Sequence, residues 1–225
     1  MGSVAAETRY TPARSAQRRS SAKERPYILR IYLVRHGETM WNREGRMQGH
    51  LDSPLTRAGV EQAQRVGRAL GAHLSDSEGQ RMVASPLGRC RQTAALICEE
   101  AGLDYTACEF HDDLMEICWG KWDGHTFAEI DAEYPGELDR RRTARWDYVP
   151  PDGESYGMLA ARVGGWLKAL PDGGSRIVVA HGGVGRVLRG VYAGLDPQDM
   201  MDLEQPQDAF YLLEGGEIAK IDAGD

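Results

Sequence analysis

Several things are scarce in this chain of 225 residues, and each scarcity excludes something. No apolar run approaches the roughly 20 residues that a membrane-spanning helix needs, so a membrane partner is not expected. The N-terminal part has no apolar core of the secretory kind, which argues against export. Cys90, Cys98, Cys108 and Cys118 form no Cys-x-x-Cys pair and no metal spacing. That pattern fits buried thiols in a reducing cytoplasm rather than a disulfide framework or a zinc site. Positive charge is scarce as well, with a formal net charge of −7. What basic charge there is gathers at one end: residues 1–30 hold seven Lys or Arg against two acids, which leaves −12 on the remainder. An acidic folded part disfavours a nucleic-acid surface.

Residues 1–26 are rich in Ser, Ala and Arg and lack hydrophobic periodicity, so they read as a disordered basic tail. The same composition fits an organelle transit peptide as the alternative to a cytoplasmic location. From residue 27 to 225 the expectation is a single catalytic domain, since 41% hydrophobic content over that length supports one sizeable core. Oligomeric state stays open, with a homodimer among the options.

Strand-like and helix-like patterns alternate through this part. Apolar runs at 28–34, 82–84 and 177–179 read as buried strands, and 210–213 with 217–221 as a closing hairpin turned at Gly215-Gly216. Between them, Val60, Ala63, Val66 and Leu70 recur at helical spacing behind a capping Thr56. Further helices are expected from Leu87 to a stop at Gly102, from 127 to 134, then after a break at Pro135-Gly136 through the Arg140-Arg141-Arg142 cluster, behind Ser155, and from Val184 to Tyr192. The stretch 106–126 reads as irregular. Such alternation predicts a three-layer α/β/α sandwich, its sheet mostly parallel with one antiparallel edge.

Two short strings sit where such a sheet binds ligands, just past the carboxyl ends of strands. They are Arg35-His36-Gly37-Glu38-Thr39 and Ala180-His181-Gly182-Gly183. A third strand ends at Ser85-Pro86 and leads to Arg89. Two imidazoles and two guanidinium groups on one sheet edge suit nucleophilic attack on a phosphate. A neutral imidazole, with a reference pKa of about 6.5, can accept a phosphoryl group and split hydrolysis into two steps. Arginine stays charged and donates in pairs to the oxygens on which negative charge accumulates. Glycines beside the histidines let the backbone approach the anion. The leaving oxygen still needs a proton, so a carboxylic acid should stand nearby.

The string Arg-His-Gly-Glu-Thr-x-Trp-Asn from Arg35 to Asn42 resembles the signature of the histidine phosphatase superfamily, the phosphoglycerate-mutase-like branch. Gly45-Arg46-Met47-Gln48-Gly49, Ser85-Pro86-Leu87-Gly88-Arg89, Leu114-Met115-Glu116 and Ala180-His181-Gly182-Gly183 continue the likeness in order. The resemblance implies that His36 becomes phosphorylated and that Arg35, Arg89 and His181 hold the phosphoryl oxygens. It implies substrate contacts from Asn42, Gln48, Gly49 and Gly182, and a proton donor in Glu116, which must be protonated at neutral pH to serve. It implies no metal and no cofactor, only a small phosphorylated substrate. Two departures stand out. Cys90 occupies a position where Ala is usual, and Asp152 interrupts a Pro-x-Gly-Gly-Glu-Ser pattern, which bears on specificity.

Other residues have plainer readings. His50, His73, His111 and His125 match no motif and read as surface or internally satisfied histidines, and Trp119 and Trp122 as packing. Arg140, Arg141 and Arg142 read as a solvated helix face, with a lean over the pocket toward a second anionic group as the alternative. A phosphomonoester phosphatase is the leading function. A phosphoglycerate mutase, or a catalytically silent binding protein on the same fold, would compete. The mutases of this family carry a long insertion after the acid motif and an Asn after His-Gly. Here only about sixty residues separate Glu116 from the strand before His181, and Gly183 follows Gly182, so an open mouth is expected.

Overall fold

The computed structural model describes residues 7–10, 29–74, 80–171 and 173–224. Seven strands form one sheet in the order β1-β7-β6-β2-β5-β3-β4. Its parallel part holds β2 (Arg30–Arg35), β5 (Ser175–Ala180), β3 (Gln80–Ala84) and the two-residue β4 (Glu109–Phe110). The antiparallel edge adds β6 (Ala209–Glu214) and β7 (Glu217–Asp222), hairpin-linked through Gly215 and Gly216 at positive φ. Of the segment expected to be a disordered tail, Glu7–Tyr10 forms β1, antiparallel to β7. The strand covers an edge that β7 would otherwise leave open. The rest of 1–26, and the transit-peptide alternative with it, lies outside the described residues.

Side-chain alternation along the strands explains the layers. Ile31, Leu33, Val178 and Ala180 point into one core, which α6 (Tyr156–Ala169) and α7 (Gly182–Ala193) close with Leu159, Val163, Val187 and Leu188. Tyr32, Val34, Ile177 and Val179 point into the other, closed by α2 (Arg57–His73) and α3 (Gly88–Ala101) through Val66, Leu70, Ala94 and Ile97. Truncating a fully buried residue such as Leu70 would cost about 2–5 kcal/mol. Thr56 and Ser155 cap α2 and α6 as the sequence suggests, each accepting from a backbone N–H in the first turn.

Two short helices, Met40–Glu44 and Pro197–Met201, went unforeseen in the sequence, while the break expected at Pro135-Gly136 is present. The first, α1 (Met40–Glu44), is too short to show a period and is held by a capping box between Thr39 and Asn42. Pro135-Gly136 separates α4 (Phe127–Glu133) from α5 (Glu137–Thr143), and α8 (Pro197–Met201) follows α7. Asp152 lies at φ 60°, the left-handed region that glycine favours and Asp tolerates, so the departure from the expected glycine preserves the loop.

Register now fixes the site. Arg35 pairs with Ala180 and Ala84 with Val179, so the residues that follow, His36, His181 and Ser85, emerge side by side. The chain continues the ladder one step, with His36 N–H donating to Ala180 O (2.9 Å) and Ser85 N–H to Val179 O (3.0 Å).

Candidate active site

The ring centres of His36 and His181 stand 5.2 Å apart. His36 is 3% exposed, and its Nδ1 donates to Gly37 O at 2.8 Å. That bond fixes the tautomer and leaves Nε2 with a free lone pair. Burial, then the charges of Arg89 and Arg35, hold its pKa well below the usual histidine value, so the ring is neutral at pH 7. The loop that carries it depends on two glycines: a Cβ on Gly37 would come within 2.2 Å of Gly59 O, and one on Gly59 within 2.0 Å of Glu38 O. Glu38 ties the same loop to α2, accepting from the Thr56 hydroxyl at 2.6 Å.

His181 is wholly buried and its pKa is also depressed, by burial first and then by Arg89, His36 and Arg35. Arg89 Nε donates to its Nδ1 (3.1 Å), so the ring proton sits on Nε2 and goes to Ser85 Oγ at 2.7 Å. In this arrangement neither ring nitrogen of His181 is free to donate to an anion. Donation needs the other tautomer, which requires Arg89 Nε to turn from Nδ1 to the anion and the Ser85 hydroxyl to turn from acceptor to donor. Cys90 Sγ, 3.4 Å from Nε2, packs against the ring and donates to Ala180 O. Burial pushes its thiol pKa far up, so it is an uncharged packing group.

The two arginines differ sharply. Arg89 spends four of its five N–H groups on the protein: Nε on His181, Nη1 on Leu51 O and Asp52 Oδ1 (2.6 and 2.9 Å), and Nη2 on Gly49 O (2.8 Å). Asp52 also receives the backbone N–H of Gly88 (2.6 Å), which caps α3, whose Leu87 cap position offers no side-chain acceptor. Arg35 donates once, from Nη1 to Gln205 O at 2.6 Å, and its buried Nε has no partner. Five buried side-chain polar atoms lack a partner among the described residues, and Arg35 Nε, Gln48 Oε1 and Gln205 Nε2 are three of them. Buried polar groups are normally paired, so Arg35 Nε and Gln205 Nε2, whose side chains both stand beside Gly182, are donors left over for a ligand.

Asn42 Oδ1 accepts from Thr39 N and Gln207 Nε2 (both 3.2 Å), and Gln207 also donates to His36 O at 3.1 Å. The Asn42 amide nitrogen remains available. Gln48 is buried, and Gly49 turns the chain at φ 49° with its carbonyl on Arg89. Glu116 reaches the start of α7: its Oε2 accepts from Gly183 N (3.1 Å) and its Oε1 from Ile117 N (2.9 Å). A Cβ on Gly183 would stand 2.4 Å from Glu116 Oε1, so glycine there is what admits the carboxylate. A Cβ on Gly182 would strike Gln205 Oε1 at 2.2 Å.

Sequence reasoning missed the supports. His50 Nε2 and Arg162 Nη2 hold the Glu116 carbonyl at 2.9 and 3.0 Å, and Arg162 pairs with Glu154. His50 is thus a satisfied histidine, and it steadies the Glu116 loop. Gln205 and Gln207 lie in a Gln-Pro-Gln-Asp string with no period to flag them. The floor of the site is buried: His36, His181, Arg89 and Gln48 are each 7% exposed or less. No three His, Cys, Asp or Glu side chains among the described residues converge as metal ligands would.

Comparison with known proteins places this geometry. The sequence profile of the histidine phosphatase superfamily, branch 1, matches residues 31–218. A probable phosphoglycerate mutase of Salmonella arizonae is 37% identical over 161 residues, covering 69% of this chain and 70% of that protein. The alpha-ribazole phosphatase of Shigella flexneri superposes with TM-score 0.71 at 26% identity, covering 81% of this chain and 89% of that one. A mycobacterial glucosyl-3-phosphoglycerate phosphatase does so at 0.66 and 30% identity, covering 81% and 88%.

Proposed function

The chain belongs to the histidine phosphatase superfamily, branch 1, and from that premise we propose that it hydrolyses a small phosphomonoester through a phosphorylated His36. One observation carries the proposal: Nδ1 of His36 is committed to Gly37 O, which leaves Nε2 as a neutral nucleophile between two guanidinium groups. The phosphate dianion meets Arg35, the last N–H of Arg89, the Asn42 amide and His181 in its second tautomer. His36 Nε2 attacks phosphorus as the bond to the ester oxygen breaks, and charge spreads onto oxygens that the arginines face. Glu116 delivers the proton that the leaving oxygen takes. Water then attacks the phosphohistidine, gives its proton to the Glu116 carboxylate, and inorganic phosphate departs with His36 restored. No step calls for a metal, because fixed cations do the charge stabilisation.

A mutase reading has one observation in its favour, the name carried by the Salmonella relative. Against it, Gly183 is where the mutases carry Asn, and a side chain there would displace Glu116. The purified protein should release inorganic phosphate from 3-phosphoglycerate or another small monoester without added 2,3-bisphosphoglycerate, at a rate that EDTA leaves unchanged. Interconversion of 3- and 2-phosphoglycerate that outruns phosphate release would hand the assignment to the mutase. Loss of turnover in EDTA, restored by a divalent cation, would end the metal-free mechanism.

A further inference from the structure

Between α8 and β6 the chain from Leu203 to Asp208 forms no helix or strand, yet successive carbonyls along it are held by arginines. Leu203 O accepts from Arg186 (3.3 and 3.4 Å), Glu204 O from Arg189, and Gln205 O from Arg35 at 2.6 Å. Arg189 is itself fixed, buried in α7 with its guanidinium carbon 3.9 Å from the centre of the Tyr211 ring in β6. Pro206 then restricts φ just past the last of these carbonyls. A segment pinned in this way keeps few conformations, so the side chain that follows is delivered to one place.

That side chain is Gln207. Its Nε2 donates to two acceptors, the His36 carbonyl at 3.1 Å and Asn42 Oδ1 at 3.2 Å. The direction of both amides follows from backbone groups whose roles cannot change. A carbonyl only accepts, so Gln207 must turn its nitrogen toward His36. A backbone N–H only donates, so Asn42 must turn its oxygen toward Thr39, whose N–H lies 3.2 Å away. The two amides then meet nitrogen to oxygen, and Asn42 Nδ2 is the end left over for a ligand. Without Gln207, only the capping box of a five-residue helix would hold Asn42, and so short a helix has little stability of its own. The other acceptor is just as close to the chemistry. The His36 carbonyl belongs to the peptide that leads into Gly37, and Gly37 O fixes the His36 ring at 2.8 Å.

We propose that Gln207 is a positioning residue for the phosphoryl group, which ties Asn42 and the His36 backbone together so that Asn42 Nδ2 and His36 Nε2 meet the same phosphate. The proposal rests on the phosphomonoesterase reading and adds to it a residue 171 positions beyond the nucleophile.

The coupling between Gln207 and Asn42 tests it, read as binding of inorganic phosphate by calorimetry, which needs no turnover. Gln207→Met keeps the length of the side chain and removes the donor. It should weaken phosphate by about three- to tenfold, the worth of one hydrogen bond. In an Asn42→Ala background the same change should cost less than about twofold, because the group it aims is gone. Should thermal melting show Gln207→Met to be unfolded, Gln207→Ala takes its place in the cycle. With a phosphomonoester, Gln207→Met should lower kcat/KM at least as much as it lowers phosphate affinity, since the His36 carbonyl loses its donor too. Equal losses in the two backgrounds would make Gln207 a support of its loop and overturn the positioning role. Full phosphate affinity in Gln207→Met, or no phosphate binding by the wild type, would overturn it as well. Absence of turnover on every ester, with the coupling in phosphate binding present, would instead remove the phosphatase reading and keep the positioning role.

Discussion

The phosphate end of the cleft and its outer wall are assembled from different parts of the chain. At the phosphate end, His36, His181 and Ser85 leave adjacent strands within one residue of the ladder, and their bonds run to backbone or to one another. At the outer wall, Arg141, Trp119, Tyr156 and Arg186 come from two helices, a loop and a helix start, joined by ring contacts and one hydrogen bond. The first is built for a fixed chemistry, since strand ends in a packed sheet have little freedom to move. The second can vary with the substrate without disturbing the sheet, which is how one fold serves several substrates.

Breaking the phosphate end should produce the largest effect. His36→Ala should lower turnover by at least about 10⁴-fold, as loss of a nucleophile does, and leave the fold intact. Wild-type protein quenched during turnover of a ³²P-labelled ester should carry label that survives base and is lost in acid, the behaviour of phosphohistidine. Label of that kind persisting in His36→Ala would move the nucleophile elsewhere.

Glu116 sits at the seam between the two regions, and its contribution should depend on what leaves. Glu116→Gln should slow alkyl phosphates by about 10²- to 10⁴-fold, the usual worth of a general acid, while p-nitrophenyl phosphate suffers far less because nitrophenolate departs without a proton. Equal losses on both esters would assign Glu116 to holding the Gly183 end of α7 rather than to proton transfer.

The same contrast explains what was legible in the sequence. His36, Arg35, Arg89 and His181 could be found because apolar runs mark strand ends, and strand ends mark the ligand edge of an α/β sheet. The three-layer fold followed from the same alternation. Ser85 stood in a recognised string, but its tie to His181 is a product of register between strands distant in sequence. Arg141 was half legible: the Arg run was visible, while the phase that turns its middle member inward is set by Leu138 three residues earlier. Gln205 and Gln207 had no pattern at all, since a loop held by tertiary contacts carries no period. The same holds for β1, whose strand character comes from the edge of β7 and not from its own composition.

Acid should distinguish the two regions by the smallest of these effects. The outer wall contains only arginines, a tyrosine and a tryptophan, none of which titrates between pH 5 and 7.5. The phosphate end contains two buried imidazoles whose folded pKa values lie well below 6.5. Below that value the unfolded chain takes up protons that the folded protein refuses, so stability is full above about pH 6.5 and falls as pH drops toward the folded pKa values. The slope is at most about 1.4 kcal/mol per pH unit for each imidazole. Urea midpoints at pH 7.5, 6.0 and 5.0 should therefore decline, and His36→Ala should remove roughly half of the decline because His181 remains buried beside Arg89. Arg141→Met should leave the slope as it is in the wild type. A midpoint that stays level across this range, or a slope that His36→Ala does not change, would mean that these imidazoles are protonated in the folded protein. A protonated His36 could not be the nucleophile.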